Sequence, residues 1–464
     1  SRRRIIHPDF RPGDSFHDHF ATESLRPETY HADGQISDEV YVYGSFIQSK
    51  MYHKGIRCTD CHDAHSTKIK FKDNRLCTSC HLNQHQADKY DTKQHHFHKT
   101  GSTGASCVEC HMPTTTYMEV DPRRDHSLRV PRPDLSLALG TPNACVKCHF
   151  DDDIKPSVSL SKERQDELHL KQYADWVRVA SAGEQDVKDQ LERVNQWAHE
   201  WVQNWYPESE QRRTHFGQTL SAAWNQEPLA ADAIIELLET PETPAIARAA
   251  ALAWLDPSRS IDSADTAIAN LQSSDPQVRI AALMTMQGYR DNSPGLSPFA
   301  TLVKKAMPLL NDSLRSVRVT AVQVVSEIPQ DLWNGRQKTA FRSALDELKL
   351  GLLVNNDRAA THLSLGSIYE NLGDATLAEQ YYRLAIQVEP LATGPRANLA
   401  ALFERRIESM IARARQNPQS LTPEDRLKMD KYRMEAQQLQ TAELVNFKRD
   451  AGYAPDNAIV QYRY

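Results

Sequence analysis

Within its first 150 residues the chain repeats Cys-x-x-Cys-His four times: Cys58-Thr-Asp-Cys61-His62, Cys77-Thr-Ser-Cys80-His81, Cys107-Val-Glu-Cys110-His111 and Cys145-Val-Lys-Cys148-His149. These strings hold all eight cysteines, so whatever they bind decides how the front of the chain folds. Two thiols separated by two residues lie on one short turn, where both can form thioethers to the vinyl groups of a single porphyrin. The imidazole that follows then sits beneath the ring and binds the iron. Paired zinc ribbons and a disulfide framework compete for the same cysteines, but neither needs a histidine after every second one. The strings read as the attachment sites of four covalently bound haem c groups. Cys58, Cys61, Cys77, Cys80, Cys107, Cys110, Cys145 and Cys148 would form the thioethers, with His62, His81, His111 and His149 as proximal iron ligands.

The surrounding residues fit that reading. From Met51 to His111 only ten residues are Ile, Leu, Val, Met, Phe, Trp or Tyr, too few to bury a core of their own. Four apolar macrocycles would supply the missing burial, so the haem-free region is expected to be unfolded. Fifteen of the nineteen histidines also lie in this part of the chain. Beyond the four proximal ones, His7, His17, His19, His31, His53, His65, His85, His95, His96, His98 and His126 are free to act as distal ligands. Two imidazoles per iron give a six-coordinate centre suited to electron transfer.

The run CVECHMPTTTYMEVDPRRDHSLRVP resembles the C-x-x-C-H-M-P…D-H segment of the superfamily that includes pentahaem cytochrome c nitrite reductase and hydroxylamine oxidoreductase. MYHKGIRCTDCHDAHS, HHFHKTGSTGASCVECHMP and DHSLRVPRPDLSLALGTPNACVKCH are similar to multihaem cytochromes that carry tetratricopeptide repeats behind the haem region. The resemblance spans about Gly13 to Phe150. It implies that His126 is a distal ligand and that a histidine shortly before the third string is another: His98, or in its place His95 or His96. His53 and His65, flanking the first string, complete the expected distal set. No string is C-x-x-C-K, which in the typical reductases opens a coordination site, so the chain departs from the nitrite-reducing pattern. Such relatives generally have a further string upstream, which leaves room for a fifth haem on a preceding segment or another subunit.

Past HFDDDIKPSVSLSKE glycine becomes rare and apolar residues recur at i, i+3, i+4 and i+7, a helical pattern. Three segments align on Ile246, Val278 and Val317, each with an alanine four positions later (Ala250, Ala282, Ala321) where a neighbouring helix must approach closely. They read as HEAT-like repeats. From Ala359, Leu365, Gly366, Tyr369, Gly373, Ala378, Tyr382, Ala385 and Pro390 stand at tetratricopeptide offsets. A partial repeat with Leu399 and Phe403 follows, then a charged helix to about Asp450. The terminal PDNAIVQYRY reads as the opening of another repeat. Since an array normally ends in a polar cap, we expect the native chain to continue there or a partner to cover that end. The expected fold is mostly α: a tetrahaem domain with little regular structure over 1–155, a HEAT-like helical region over 156–345 and a tetratricopeptide-like region over 346–464.

Composition narrows the function classes. The net charge of −6 divides into +2 through residue 150 and −8 beyond it, without the concentrated basic surface that nucleic acid requires. No run of 18 apolar residues exists; the longest, ARAAALAWL, is too short to span a bilayer. The N-terminal SRRRII precedes no apolar stretch and reads as a trimmed end rather than a signal. Arg212, Arg213 and other scattered charges of the helical part read as solvated faces, and His169, His199, His215 and His362 as surface or satisfied core positions. The leading expectation is an electron-transfer protein whose helical repeats dock redox partners, other multihaem cytochromes or copies of itself. Because the family resemblance implies haem attachment outside the cytoplasmic membrane, the expected location is periplasmic or extracellular. A multihaem oxidoreductase of the nitrite or hydroxylamine type, with one open haem, is the alternative. A third reading makes the haem region structural and the repeats the working part.

Overall fold

A computed structural model of the chain describes residues 3–81, 89–118, 120–149, 160–207, 214–256, 260–292, 303–417 and 421–455. The chain is mostly helical, as its periodicity predicts. By contacts it divides into two compact units: Ser1–Arg4 with Thr22–Asn292, and Ile5–Ala21 with Ser293–Tyr464. The borders expected at 155 and 345 do not coincide with this division. The string-bearing region shares a unit with the helices that follow it, because its own side chains bury so little. From Met51 through Gly104 not one described residue is buried.

In the first unit the strings sit on short helices: Cys58–Cys61, Arg75–His81, Cys107–His111 and Ala144–His149. Local capping starts them. Arg57 N donates to Asp60 Oδ2 (2.7 Å) at the first. Val146 N donates to Asn143 Oδ1 (3.2 Å) at the fourth, so Asn143 answers an amide that the helix itself leaves unpaired. Asn143 also donates from Nδ2 to Ser136 Oγ (2.9 Å) and Asn195 Oδ1 (3.0 Å), which ties the fourth string to two neighbouring helices. Between the third string and His126 the chain forms a hairpin, Thr114–Tyr117 antiparallel to Asp121–Arg124, pairing Thr114 with Arg124 and Tyr117 with Asp121.

The longest described helix of this unit is Gln185–Trp205. Val187, Leu191, Val194, Ala198 and Val202 recur every three or four residues and are buried, which fixes one face inward. The helix packs on Pro133–Leu139, Ala144–His149 and Tyr173–Ser181. Trp197, Trp201 and Trp205 recur every four residues along it, a second aromatic face. Further on, Ala245–Leu252 packs on Pro276–Asn292. Ile246, Ala250, Val278 and Ala282 are all buried there, with at most 1 % exposure, and the alanines leave no side chain to hold the helices apart.

The second unit contains the third of these segments, the helix Arg315–Val325, where Val317 and Ala321 are fully buried. Arg318 and Arg315 both reach Glu347 on the neighbouring helix Gly335–Leu353 (2.7 and 3.4 Å). Helix Ala359–Asn371 packs against Ala375–Val388, and Pro395–Gln416 against Pro423–Tyr453. Gly366 is a point of close approach, since a Cβ there would collide with the Tyr382 ring. Leu365, Ala378, Tyr382, Ala385, Leu399 and Phe403 are buried, whereas Tyr369 is half-buried and Gly373 and Pro390 are exposed. The terminal PDNAIVQYRY, apart from its first residue, lies outside the described residues, as do Arg212, Arg213, Phe150 and most of the segment that follows it.

Candidate functional site

The three-dimensional arrangement sets imidazoles opposite one another. His62 of the first string faces His126, with ring centroids 6.3 Å apart and planes 23° from parallel. His111 of the third faces His95 at 6.2 Å and 9°. His149 of the fourth faces His98 at 6.0 Å and 48°. An imidazole nitrogen binds a first-row metal at about 2 Å, and about 1 Å more separates that nitrogen from its ring centre, so two rings trans to one metal have centroids about 6 Å apart. The three observed separations fall at that distance.

In four of the six rings Nδ1 donates to a backbone carbonyl, the arrangement that leaves Nε2 free to ligate. His62 Nδ1 donates to Thr67 O (2.7 Å), His111 Nδ1 to Arg129 O (2.8 Å) and His126 Nδ1 to Arg124 O (2.9 Å); His98 Nδ1 donates to His96 O. With Nδ1 carrying the proton, the lone pair is on Nε2 and the ring is held in one orientation. Burial, followed by the neighbouring His111, lowers the pKa of His95; burial and then His98 lower that of His149. Both rings are therefore neutral donors near pH 7.

His149 is fixed differently. Its Nδ1 is buried with no hydrogen-bond partner among the described residues, and the ring packs against Trp197 at 4.7 Å. From there the aromatic face continues through Trp201 to Trp205, at 6.4 and 5.6 Å. Trp205 meets His98 (6.0 Å) and lies parallel to Phe97 (4.8 Å, 3°), while Tyr206 approaches His95 (6.3 Å). The helix thus walls the His98/His149 pair, and the residue that follows it, Tyr206, meets the ring of His95. Gly104 packs so closely on His98 that a Cβ would overlap the imidazole.

The cysteines differ in exposure: Cys58, Cys80 and Cys148 are exposed, and the other five are half-buried; no two form a disulfide. Burial, chiefly, pushes Cys110 up to about 11 and Cys145 up to about 12. These two half-buried thiols are therefore protonated near pH 7. Cys107 N donates to Asn74 Oδ1 (3.0 Å) and Asn74 Nδ2 to Ala105 O (3.0 Å), so Asn74 links the starts of the second and third string helices. Among the described residues no three Cys, His, Asp or Glu side chains converge as a zinc site would require.

The expected distal residues separate into groups. His98 and His126 each face a string histidine. His95, expected only in place of His98, is used beside it. His53 ends the helix Lys50–His53 against Tyr52 (5.4 Å), and His65 lies in an exposed turn where its amide donates to Asp63 (3.2 Å); neither faces another imidazole among the described residues. His81 of the second string meets Tyr90 edge-on (5.6 Å), and His85 lies outside the described residues. His215 and His362 are structural. His215 Nδ1 accepts from Gly217 N (3.1 Å), and burial pushes the ring down to about 4; His362 Nε2 donates to Asn356 O (2.8 Å).

The roles of Trp197, Trp205, Gly104, Arg124 and Arg129 were not read from the sequence. The W-x-x-x-W-x-x-x-W spacing was the visible signal for the first two, whereas nothing local marks the rest. No family model, curated protein or solved structure matches the chain.

Proposed function

We propose that the chain is a tetrahaem c-type cytochrome that passes single electrons along its front region and uses its helical repeats, as an α-solenoid, to dock protein partners. The observation that carries this reading is the set of three facing imidazole pairs at 6.0–6.3 Å, each containing the histidine of a Cys-x-x-Cys-His string. When bound, each haem iron supplies a one-electron couple. The chain's residues do the rest. Cys58 and Cys61, Cys77 and Cys80, Cys107 and Cys110, and Cys145 and Cys148 would anchor the four rings. His62 with His126, His111 with His95, and His149 with His98 would hold three irons, while His81 would hold the fourth from one side. Trp197 and Trp205 exclude water beside His149 and His98. Two neutral nitrogen donors on each of three irons favour electron relay over substrate binding.

The partners proposed are redox proteins, including other multihaem cytochromes or further copies of the chain, met outside the cytoplasmic membrane. Among the described residues no helix is long and apolar enough to cross a membrane. The test is intact mass together with the optical spectrum of the exported protein. Four haem masses and a low-spin Soret band are expected. Absence of haem, or zinc at the thiols, would refute the proposal.

The oxidoreductase reading has its foothold at the second string, where the described ring facing His81 is a tyrosine. It would be favoured if one haem of the reduced wild-type protein bound carbon monoxide, and would fall if none did.

A further inference from the structure

The six residues from Arg124 to Arg129 touch two of the facing pairs at once. The Arg124 carbonyl accepts from His126 Nδ1, which belongs to the first string's pair, while its guanidinium reaches the third string's helix. There Nη2 donates to Glu109 Oε1 (2.6 Å), and Nη1 donates to Met112 O (3.1 Å) and Val108 O (3.3 Å). Arg129 is arranged the other way round. Its carbonyl accepts from His111 Nδ1 of the third string's pair. Its guanidinium donates to Asp125 Oδ2 (2.6 Å), beside His126, and to Asp33 Oδ2 (3.2 Å). Asp125 is held in turn by Ser45 Oγ (2.7 Å) and Ser127 N (2.8 Å).

From this reciprocal pattern we infer that Arg124 and Arg129 are positioning residues that cross-brace two metal sites, so that the imidazole orientation at one is mechanically coupled to that at the other. The inference rests on the haem reading above. Buried ion pairs add little net stability compared with apolar packing, but they do fix geometry. A guanidinium holds several acceptors in one plane, which an ammonium cannot reproduce. Nδ1 hydrogen bonds set both the angle and the basicity of a ligating ring. If Arg129 loses its fork, its own carbonyl shifts and so does Asp125. Both His111 and His126 are then released from their present angles.

The experiment uses the full haem-loaded protein with Arg129→Lys and, separately, Arg124→Lys; the latter guanidinium is more exposed (35 % against 16 %) and its replacement is gentler on folding. Haem content by mass tests the cytochrome reading independently. Electron paramagnetic resonance and potentiometric titration test the brace, with signals assigned through His126→Met, His95→Met and His98→Met. In each Lys variant the signals of the His62/His126 and His95/His111 sites should both shift, and that of the His98/His149 site should remain. A shift confined to one site, an equal shift at all sites, no shift, or loss of haem from Arg124→Lys would each overturn the inference.

Discussion

Gly104→Ala is the most direct probe of the facing geometry. Gly104 lies in the short turn Thr103–Ala105 with no positive φ, so alanine is compatible with its backbone and the effect must come from the added methyl. That Cβ would stand 2.6 Å from Cγ and 2.8 Å from Nε2 of His98, and would overlap Cδ2. Carbon atoms prefer about 3.5 Å or more, so the ring must give way by about 1 Å. His98 faces His149 at 6.0 Å, and a metal–ligand distance tolerates only about 0.2 Å of error. A displacement several times that size would remove His98 from the iron proposed at the Cys145–Cys148 string whichever way the ring moves. Overpacking should also lower stability by about 1–3 kcal/mol. The assay is carbon monoxide titration of the reduced protein with paramagnetic resonance of the oxidised one. One more haem than in wild type should become high-spin and bind the gas. Gly101→Ala is the control: nothing lies within 4 Å of its Cβ, and the positive φ of 79° strains the backbone without touching His98. A Gly104→Ala protein with wild-type ligation, or a Gly101→Ala protein that matches it, would refute the reasoning.

Trp197→Leu should admit water beside His149, whose ring it contacts at 4.7 Å, and move the potential of the His98/His149 site alone; four unchanged potentials would count against the aromatic wall. Gly366→Ala should push on the Tyr382 ring and destabilise the second unit by about 1–3 kcal/mol in chemical denaturation, with the haem spectrum unaffected. Burial opposes ionisation of Glu347, but its hydrogen bonds and proximity to Arg318, together with Arg315, prevail and hold the carboxyl below its ordinary value. A depressed folded pKa gives stability that is present above the unfolded value of about 4.3 and lost as pH falls through the folded one. Glu347→Gln should thus lose about 1 kcal/mol at pH 7 and show a flatter acid limb; equal losses at pH 7 and pH 3 would contradict the assignment.

The strings on which the proposed sites rest are legible in the sequence because their grouping is local. Cys-x-x-Cys-His places two thiols and an imidazole on one turn, so the four strings announce themselves without a fold. The same holds for Ile246 with Ala250 and Val317 with Ala321, whose helical spacing marks positions that the structure buries. His126 and His98 were named only through a resemblance, and His95 only as a substitute. Three histidines within four residues, His95, His96 and His98, cannot be told apart by spacing. Their backbone turns them to different places: His95 toward His111, His98 toward His149, and His96 Nδ1 toward the amide of His98 (3.1 Å).

What the sequence determined by itself is local grouping: which thiols and imidazoles share a turn, and which later stretches coil into helices with a small-residue face. Both are set by neighbours within about one helical turn. Only the tertiary structure decided which imidazole stands across from which, that a tryptophan face walls the His98/His149 pair, and that Arg124 and Arg129 each link two of the pairs. The reason is that such partners lie far apart along the chain. Their meeting depends on how hairpins and helices pack, and no short pattern in the sequence encodes that.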